Sequence, residues 1–291
     1  MQVTVHAPAK INLTLDVVGR REDGYHLLES IFQAVDCQDT LTARAQPQGI
    51  TLTVAGGEPC PMEKNTAYKA AAAFFRHTGI DGGVAMTLEK RIPQQAGMGG
   101  GSADGAAALL ALDALYDTHL SSAVLNTLAL QVGADVPFCL LGGTAYVRGI
   151  GEQIQPLPAL PCCTIVVAQP AEGVSTAAAY GALDAAEHLR RPDHTAALAA
   201  LERGDLTGLC KQVENVFEAV VALDGVAAIR ERMEAFTPLC SRMTGSGSAV
   251  FAVFTEEEKA TACLKDLQKD WPAAFLCHPC NGPTVIVDKI V

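Results

Sequence analysis

Residues 93–104 read Pro93-Gln94-Gln95-Ala96-Gly97-Met98-Gly99-Gly100-Gly101-Ser102-Ala103-Asp104 and lead directly into a segment rich in alanine and leucine. Four glycines in five positions cost much chain entropy on folding, so they indicate backbone that must approach a ligand closely. At the start of a helix, successive N–H groups and the Ser102 hydroxyl can hold an anion. The stretch therefore predicts a phosphate-binding loop rather than a flexible surface loop.

This loop differs from the two most common nucleotide-binding motifs. A Walker A loop needs a lysine followed by serine or threonine after its last glycine, whereas Gly101 is followed by Ser102 and Ala103. The dinucleotide motif needs a surrounding parallel βαβ unit, which the neighbouring pattern does not predict. The loop therefore indicates another class of phosphate-binding protein.

The predicted elements favour the α+β fold class. Strands are predicted over 3–6, 12–17, 84–88 and 164–168, a hairpin strand over 50–54, and helices from Asn65 to Gly79, from Ser102 onward and over 121–132. Strands and helices do not alternate strictly, and this disfavours a doubly wound parallel sheet.

A domain boundary is predicted at three prolines within six residues, Pro156, Pro158 and Pro161, because such a segment fits neither a helix nor a central strand. The length of 291 residues also favours two domains. We therefore expect an N-terminal domain over 1–155 and a C-terminal domain over 162–291.

The composition excludes several classes of partner. The chain has 21 Lys and Arg against 32 Asp and Glu, for a net charge of −11, which disfavours binding to nucleic acid or to an anionic membrane. Hydrophobic residues make up 49%, enough for a buried core. The N-terminal residues lack the pattern of a leader, and the most apolar run, 106–112, is too short to span a membrane.

The 10 cysteines are scattered along the chain and favour free thiols in a reducing cytoplasm over disulfides. Cys277 and Cys280 have the spacing of half a zinc site or of a redox pair. The sequence has no second pair with this spacing, so a structural or incidental role is favoured.

Two further segments carry side chains suited to a ligand site. Lys10 and Asn12 are two residues apart in an extended stretch and so face the same side, where Lys10 could stabilise negative charge or simply be solvated. The turn at Asp23-Gly24 presents Tyr25 and His26 next to each other, either to a ligand or on an ordinary surface turn.

Asp135 is an acid in an otherwise apolar stretch between Gly133 and Pro137. It fits two roles equally well: the N-cap of a helix that Pro137 begins, or a partly buried general base. A second turn rich in glycine and serine, residues 244–248, could close over the same phosphates as the first loop.

Taken together, these segments resemble the GHMP kinase superfamily. Its motifs are an N-terminal Pro-x-Lys-x-Asn-Leu, found here at 8–13, the central glycine-rich loop, and a Thr-Gly-Ser-Gly turn, found here at 244–247. Gly24-Tyr25-His26, Phe32 and the segment 133–138 further resemble the branch that phosphorylates the 2-hydroxyl of 4-diphosphocytidyl-2-C-methyl-D-erythritol, a step of the non-mevalonate isoprenoid pathway. The resemblance implies two α+β domains with the active site in the cleft between them.

The resemblance also implies a role for each matching residue. Asp135 would be the general base, with Lys10 beside it holding the carboxylate ionised, as suits phosphoryl transfer. ATP would be bound by Pro93, Gln94, Gln95, Ala96, Gly97, Met98, Gly99, Gly100, Gly101, Ser102, Ala103 and Asn65. The cytidyl substrate would be bound by Asn12, Tyr25, His26, Phe32 and Tyr180.

Within this assignment, His26 would contact the edge of the cytosine, and Tyr25 and Tyr180 would stack on its two faces. Mg²⁺ is expected with ATP, held mainly by phosphates and water, and no protein ligand is named for it. The two alternatives are another GHMP small-molecule kinase and a non-catalytic nucleotide-binding protein on the same scaffold. We expect a monomer or weak homodimer that binds small molecules only.

Overall fold

The computed structural model describes residues 1–57, 60–187 and 189–290. The strands are β1 (Gln2–Arg20), β2 (His26–Gln46), β3 (Gly49–Ala55), β4 (Gly83–Glu89), β5 (Thr144–Gly149), β6 (Gln153–Pro156), β7 (Thr164–Ala168), β8 (Glu214–Asn215), β9 (Cys240–Met243), β10 (Val250–Phe254), β11 (Phe275–Cys277) and β12 (Val285–Ile290). The helices are α1 (Thr66–Thr78), α2 (Gly100–Tyr116), α3 (Ser122–Val132), α4 (Val136–Leu141), α5 (Thr176–Asp184), α6 (His194–Glu202), α7 (Leu206–Cys210), α8 (Asp224–Glu234) and α9 (Glu257–Leu267).

The first sheet is built around the long antiparallel pair β1–β2. The strand order is β12-β1-β2-β4-β3, with β5 also on β2, β6 on β5 and β8 on β1. The two strands predicted over 3–6 and 12–17 are one continuous strand, β1, because it pairs with β2 along almost its whole length. Register shifts at Pro8/Ala9 and Asn12/Thr14 mark the irregular part of β1, where Lys10 lies.

The prediction of a hairpin strand over 50–54 was wrong. The strand exists as β3, but it pairs in parallel with β4. Parallel neighbours need a crossover connection rather than a tight turn, and here the crossover contains α1. The helix itself was predicted correctly: Asn65 caps α1 by accepting a hydrogen bond from the Ala67 N–H at 2.9 Å, and Gly79 ends it at φ 67°.

The second sheet is antiparallel, with the order β11-β7-β10-β9. Helices α8 and α9 pack against it around Ile229, Met233 and Leu267, and the core they form continues to Phe217. Sheets and helices are segregated rather than alternating, which confirms the α+β class. The proline segment lies between β6 of the first sheet and β7 of the second, but β8 and β12 of the range 162–291 both pair with β1 and so belong to the first sheet. The boundary itself stays a prediction.

Helix α2 is the central helix of the first half and sets the position of the glycine-rich loop. Most of its alanine and leucine side chains between Ala103 and Leu115 are buried, and it packs against β1, β2 and α1. Small side chains allow this close packing on all sides. Among the described residues, the helices are all too short or too polar to cross a membrane.

The Cys277–Cys280 segment packs against β2. The His278 N–H donates to Asp36 Oδ1 at 2.8 Å, and the Cys280 N–H donates to the Ala34 carbonyl at 2.8 Å. Each cysteine of the described residues is a free thiol. These contacts support the structural role favoured for this segment.

Candidate active site

The glycine-rich loop reaches α2 through residues that only glycine suits. Gly97 and Gly99 have φ of 75° and 72°, in the left-handed region. A Cβ on Gly97 would lie 2.1 Å from the Thr244 carbonyl oxygen, so the loop and the turn of the second half touch backbone to backbone. Within the described part of the chain, no side chain caps α2 at Gly99, which leaves the N–H groups of the first helical turn facing outward.

A cavity of about 690 Å³ opens over this loop and helix start. Of the residues predicted to bind the nucleotide, it is lined by Pro93, Gln94, Gln95, Ala96, Gly97, Met98, Gly99, Gly100, Gly101, Ser102 and Asn65. Ala103 is the exception, because it is fully buried in α2. The cavity thus combines a row of backbone donors with a helix N-terminus, which is the arrangement that binds phosphates.

Lys10 lies at one edge of the loop and is only 4% exposed. Its Nζ donates to Asn12 Oδ1 at 2.8 Å and to the Gly97 carbonyl at 3.0 Å, and it lies 4.8 Å from the centre of the Phe32 ring. The same Nζ is 3.5 Å from Asp135 Oδ2. A buried cation held by two acceptors and facing a carboxylate is not an ordinary solvated lysine.

Asp135 directly precedes α4, but among the described contacts its side chain caps none of the helix N–H groups. Instead it pairs with Lys10, and 26% of the side chain remains exposed. The carboxylate lines a small cavity of about 190 Å³ together with Lys10 and Phe32, and also a larger one of about 720 Å³. Of the two roles that the sequence left open, the geometry favours the exposed carboxylate over the cap.

Asn12 lines the small cavity, but its amide is already engaged within the protein. Its Oδ1 accepts from Lys10 Nζ at 2.8 Å and from the Gly245 N–H at 3.0 Å, and its Nδ2 donates to Ser30 Oγ at 2.9 Å. The Asn12 N–H donates to Thr244 Oγ1 at 3.0 Å. Asn12 therefore ties Lys10 to the 244–245 turn of the second half.

The 720 Å³ cavity brings together the remaining predicted residues, Tyr25, His26 and Tyr180, with Asp135 at its inner end. Tyr25 is 62% exposed, whereas Tyr180 lies deeper and packs edge-on against Phe217. Burial, with a smaller contribution from Asp135, raises the pKa of Tyr180 to about 12, so its hydroxyl is uncharged at neutral pH. In this structure Tyr180 stacks on the His26 ring rather than opposite Tyr25.

The sequence reasoning missed one side chain that lines this cavity, Thr176, and one that contacts its lining, Asp184. Thr176 lines both it and the small cavity, and its hydroxyl lies 3.0 Å from Ser246 Oγ. Asp184 Oδ1 lies 2.7 Å from His26 Nε2. Together with Tyr180 they are spaced i, i+4 and i+8 on α5, so helical periodicity around Tyr180 would have found them.

A buried triad formed by Lys90, Asp104 and Asp39 under the loop was also missed. Lys90 Nζ donates to Asp104 Oδ2 at 2.7 Å and to Asp39 Oδ2, and Asp39 Oδ1 accepts from the N–H groups of Arg91 and Ile92. Burial, with Lys90 opposing it and Asp39 adding to it, raises the pKa of Asp104 to about 8. The triad connects the first turn of α2 to β2 and to the end of β4.

The donor set offers little to a metal ion. Within residues 1–57, 60–187 and 189–290, no group of three or more His, Cys, Asp or Glu side chains is arranged to hold one. Asp135 and the Ser102 hydroxyl line the same 720 Å³ cavity and lie beside the loop. These two oxygens suit a cation whose other ligands are phosphates and water.

The chain matches the family model of the GHMP kinases N terminal domain over residues 65–143 and that of the GHMP kinases C terminal over residues 197–273. The crystal structure of a homoserine kinase from Cytophaga hutchinsonii superposes with a TM-score of 0.78 at 21% identity, over 98% of this chain and 97% of that one. The fold is that of a GHMP kinase, and the chain belongs to this superfamily.

Similar sequences show which family within the GHMP kinases the chain belongs to. The 4-diphosphocytidyl-2-C-methyl-D-erythritol kinase of Moorella thermoacetica is 43% identical over 94% of this chain and 98% of its own length, and that of Clostridium acetobutylicum is 36% identical over 94% and 99%. A crystal structure of 4-(cytidine 5'-diphospho)-2C-methyl-D-erythritol kinase superposes with a TM-score of 0.80 at 36% identity, over 97% of this chain and all of that one. The chain belongs to the 4-diphosphocytidyl-2-C-methyl-D-erythritol kinase family, which confirms the resemblance found in the sequence.

Proposed function

We propose that the chain transfers the γ-phosphate of ATP to the 2-hydroxyl of 4-diphosphocytidyl-2-C-methyl-D-erythritol. One observation carries this assignment: the Lys10–Asp135 pair lines the small 190 Å³ cavity. That cavity shares Gly97 and Gly99 with the cavity over the glycine-rich loop, and Asp135 and Tyr180 with the 720 Å³ cavity. A phosphate donor in the cavity over the loop and an alcohol in the 720 Å³ cavity would meet at this pair.

Asp135 is the general base in this proposal. Its carboxylate takes the proton of the acceptor hydroxyl as the hydroxyl oxygen bonds to the γ-phosphorus, and the bond from that phosphorus to the bridging oxygen of ADP breaks. The proton then leaves Asp135 for water. Lys10, held by Asn12 and Gly97, keeps the carboxylate oriented and faces the negative charge of the transferred group.

The loop and the first turn of α2 bind the ATP phosphates through backbone N–H groups. Asn65 lines the same cavity, where it would face the nucleoside. Mg²⁺, when bound, neutralises charge on the phosphates and draws most of its ligands from them and from water. Asp135 and Ser102 are the side chains that would reach it.

The 720 Å³ cavity, named the acceptor cavity from here on, would bind the cytidyl group by stacking and by one contact with the edge of the base. Tyr25 offers an exposed ring, Tyr180 a partly buried ring that stacks on His26, and His26 a polar ring edge. The Phe32 ring packs against the ammonium group of Lys10. Asn12 positions Lys10 and does not bind the substrate, because its amide is already hydrogen-bonded within the protein. Stacking on aromatic rings suits a flat pyrimidine base.

The test is an ADP-release assay with Mg·ATP and a panel of acceptors: 4-diphosphocytidyl-2-C-methyl-D-erythritol, methylerythritol phosphate, mevalonate, homoserine and galactose. We expect turnover with the cytidyl compound alone. Turnover with another acceptor would retain the kinase and refute this substrate. ATP binding without turnover on any acceptor would favour the non-catalytic alternative.

We also propose that the enzyme is cytoplasmic and works as a monomer or weak homodimer. The free thiols support a reducing compartment. Light scattering at assay concentrations should give a mass near 30.4 kDa or a concentration-dependent value below twice that.

A further inference from the structure

Asp184, the last residue of α5, holds the His26 side chain from the second half of the molecule. Its Oδ1 lies 2.7 Å from His26 Nε2, and its Oδ2 accepts from Arg20 Nη1 at 3.2 Å. The same helix carries Tyr180, whose ring stacks on the imidazole with centroids 4.5 Å apart and 27° between the planes. One short helix therefore fixes both the plane and the rotation of the His26 ring.

The contact with Asp184 also decides where the proton of a neutral His26 lies. A carboxylate can only accept hydrogen bonds, so the nitrogen that faces it must carry hydrogen. In a neutral imidazole the other nitrogen is then an acceptor. His26 Nε2 is therefore the donor, and Nδ1, which has no protein partner among the described residues, is left as an acceptor on a ring that lines the acceptor cavity.

Arg20 connects Asp184 to the turn that carries Tyr25. Its Nε donates to the Gly24 carbonyl at 3.0 Å while its Nη1 holds Asp184, so the turn that carries Tyr25 and the carboxylate that orients His26 share one guanidinium. Within that turn the Arg21 N–H also donates to the Tyr25 carbonyl at 2.8 Å. The polar atoms at the edge of the acceptor cavity are thus held by hydrogen bonds within the protein in the absence of a ligand.

A fixed acceptor distinguishes the two common pyrimidines. At position 4, cytosine carries an amino group, which donates hydrogen bonds, whereas uracil carries a carbonyl, which only accepts them. An acceptor nitrogen facing that position bonds to cytosine and faces an unpaired, repelling oxygen in uracil. Sites that leave a buried polar group unpaired lose affinity for the wrong ligand.

Resting on the function proposed above, we propose that Asp184 is a positioning residue that sets base specificity: it fixes His26 in the tautomer whose Nδ1 accepts a hydrogen bond, so that the cavity selects cytosine over uracil. Asp184 itself touches the protein and not the reacting atoms.

The experiment measures the binding of CDP and of UDP to the full-length chain by calorimetry. The unchanged chain should bind CDP about 10- to 100-fold more tightly than UDP. In Asp184→Asn the amide can turn its NH₂ toward His26 and reverse the tautomer, so this preference should fall to about threefold or less. Asp184→Ala should lower it as well. Asp270→Asn is the matched control, because it also removes a carboxylate that pairs with an arginine, Arg232, and it should keep the preference.

A second readout is spectroscopic. Long-range ¹H–¹⁵N correlation spectra of the unchanged chain should show hydrogen on Nε2 of His26, and those of Asp184→Asn should show the Nδ1-protonated form or a mixture. An unchanged CDP preference in both Asp184 variants, or Nδ1 protonation in the unchanged chain, would overturn the inference. Neither result depends on phosphate transfer, so turnover with an acceptor other than the cytidyl compound would refute the proposed function separately.

Discussion

The cavity over the glycine-rich loop and the acceptor cavity are built in opposite ways. About half of the residues that line the first belong to one continuous segment, 93–102, which leads into a buried helix. The second is formed by side chains from the turn at Asp23–His26, from the segment before α4 and from α5 of the other half. The first offers N–H groups that any nucleoside triphosphate can use, whereas the second offers rings and polar edges that distinguish one acceptor from another.

Phosphate binding and selection of the acceptor therefore depend on different parts of the molecule. The homoserine kinase shares the fold at 21% identity, so the scaffold tolerates extensive change of side chains. Backbone geometry is insensitive to such change, while side-chain cavities are not. Substitutions in the loop should therefore impair the use of ATP whatever the acceptor, and substitutions in the acceptor cavity should impair the use of the acceptor alone.

The largest effect is expected for Asp135, which lines both the acceptor cavity and the small cavity beside the loop. Asp135→Asn keeps the size of the side chain but removes the base, so kcat should fall about 10³-fold while the affinities for ATP and for CDP stay within about threefold. Stopped assays for ADP and calorimetry for each nucleotide measure the two quantities. Near-normal turnover would remove Asp135 from the mechanism.

Gly97→Ala should have the next largest effect and should act on the phosphate side. Its Cβ would collide with the Thr244 carbonyl 2.1 Å away, and the backbone is already at φ 75°. We expect an increase of more than about tenfold in KM for ATP and a loss of about 2–4 kcal/mol in the free energy of unfolding. Initial-rate kinetics at varied ATP and urea unfolding measure the two effects.

Gly204→Ala is the matched control for this change. Gly204 also has positive φ, 65°, but its added Cβ would meet no atom within 4 Å. It should cost only the backbone strain of about 1 kcal/mol and leave KM for ATP unchanged. Equal effects of the two variants would show that the contact between the loop and the 244–245 turn does not matter.

His26→Ala should have a smaller effect that is confined to the acceptor side. It removes the ring that stacks on Tyr180 and contacts Asp184, so kcat/KM for the cytidyl substrate should fall about 10- to 100-fold while KM for ATP changes little. His278→Ala is the control, because His278 is exposed and pairs with Asp36 outside the three cavities of the site. Equal weakening of ATP and acceptor in His26→Ala would contradict the division between the cavities.

The extent to which the sequence predicts these regions follows from how each is built. The loop and its helix were predictable because their signal is contiguous: glycines, then Ser102, then an alanine-rich helix. Asp135 was visible as an acid in an apolar stretch, but the sequence could not show that Lys10 Nζ lies 3.5 Å from its carboxylate. Tyr180 came only from the family resemblance.

The features that the sequence could not predict depend on contacts between distant segments. The triad joins Asp39, Lys90 and Asp104, and the rim of the acceptor cavity joins His26 to Asp184, 158 positions away. Charged residues in a sequence are normally solvated, so none of these stood out. Likewise, alternation indicated β3 as a strand but could not show that its partner β4 runs parallel to it.

Asp104→Asn is expected to have the smallest effect at acidic pH. It should appear as a different slope of the free energy of unfolding against pH. Because burial holds the pKa of Asp104 at about 8, the folded chain keeps a proton that the unfolded chain loses near pH 4. Between these values the unfolded state binds fewer protons, so the free energy of unfolding falls as pH rises and levels off above pH 8. The amide of the variant has no proton to exchange, and it leaves Lys90 neutralised by Asp39 alone. Urea unfolding at pH 5, 6.5 and 8 should therefore show the variant gaining on the unchanged chain as pH rises, whereas parallel curves would mean that Asp104 is ionised throughout and that the loop rests on a charged triad.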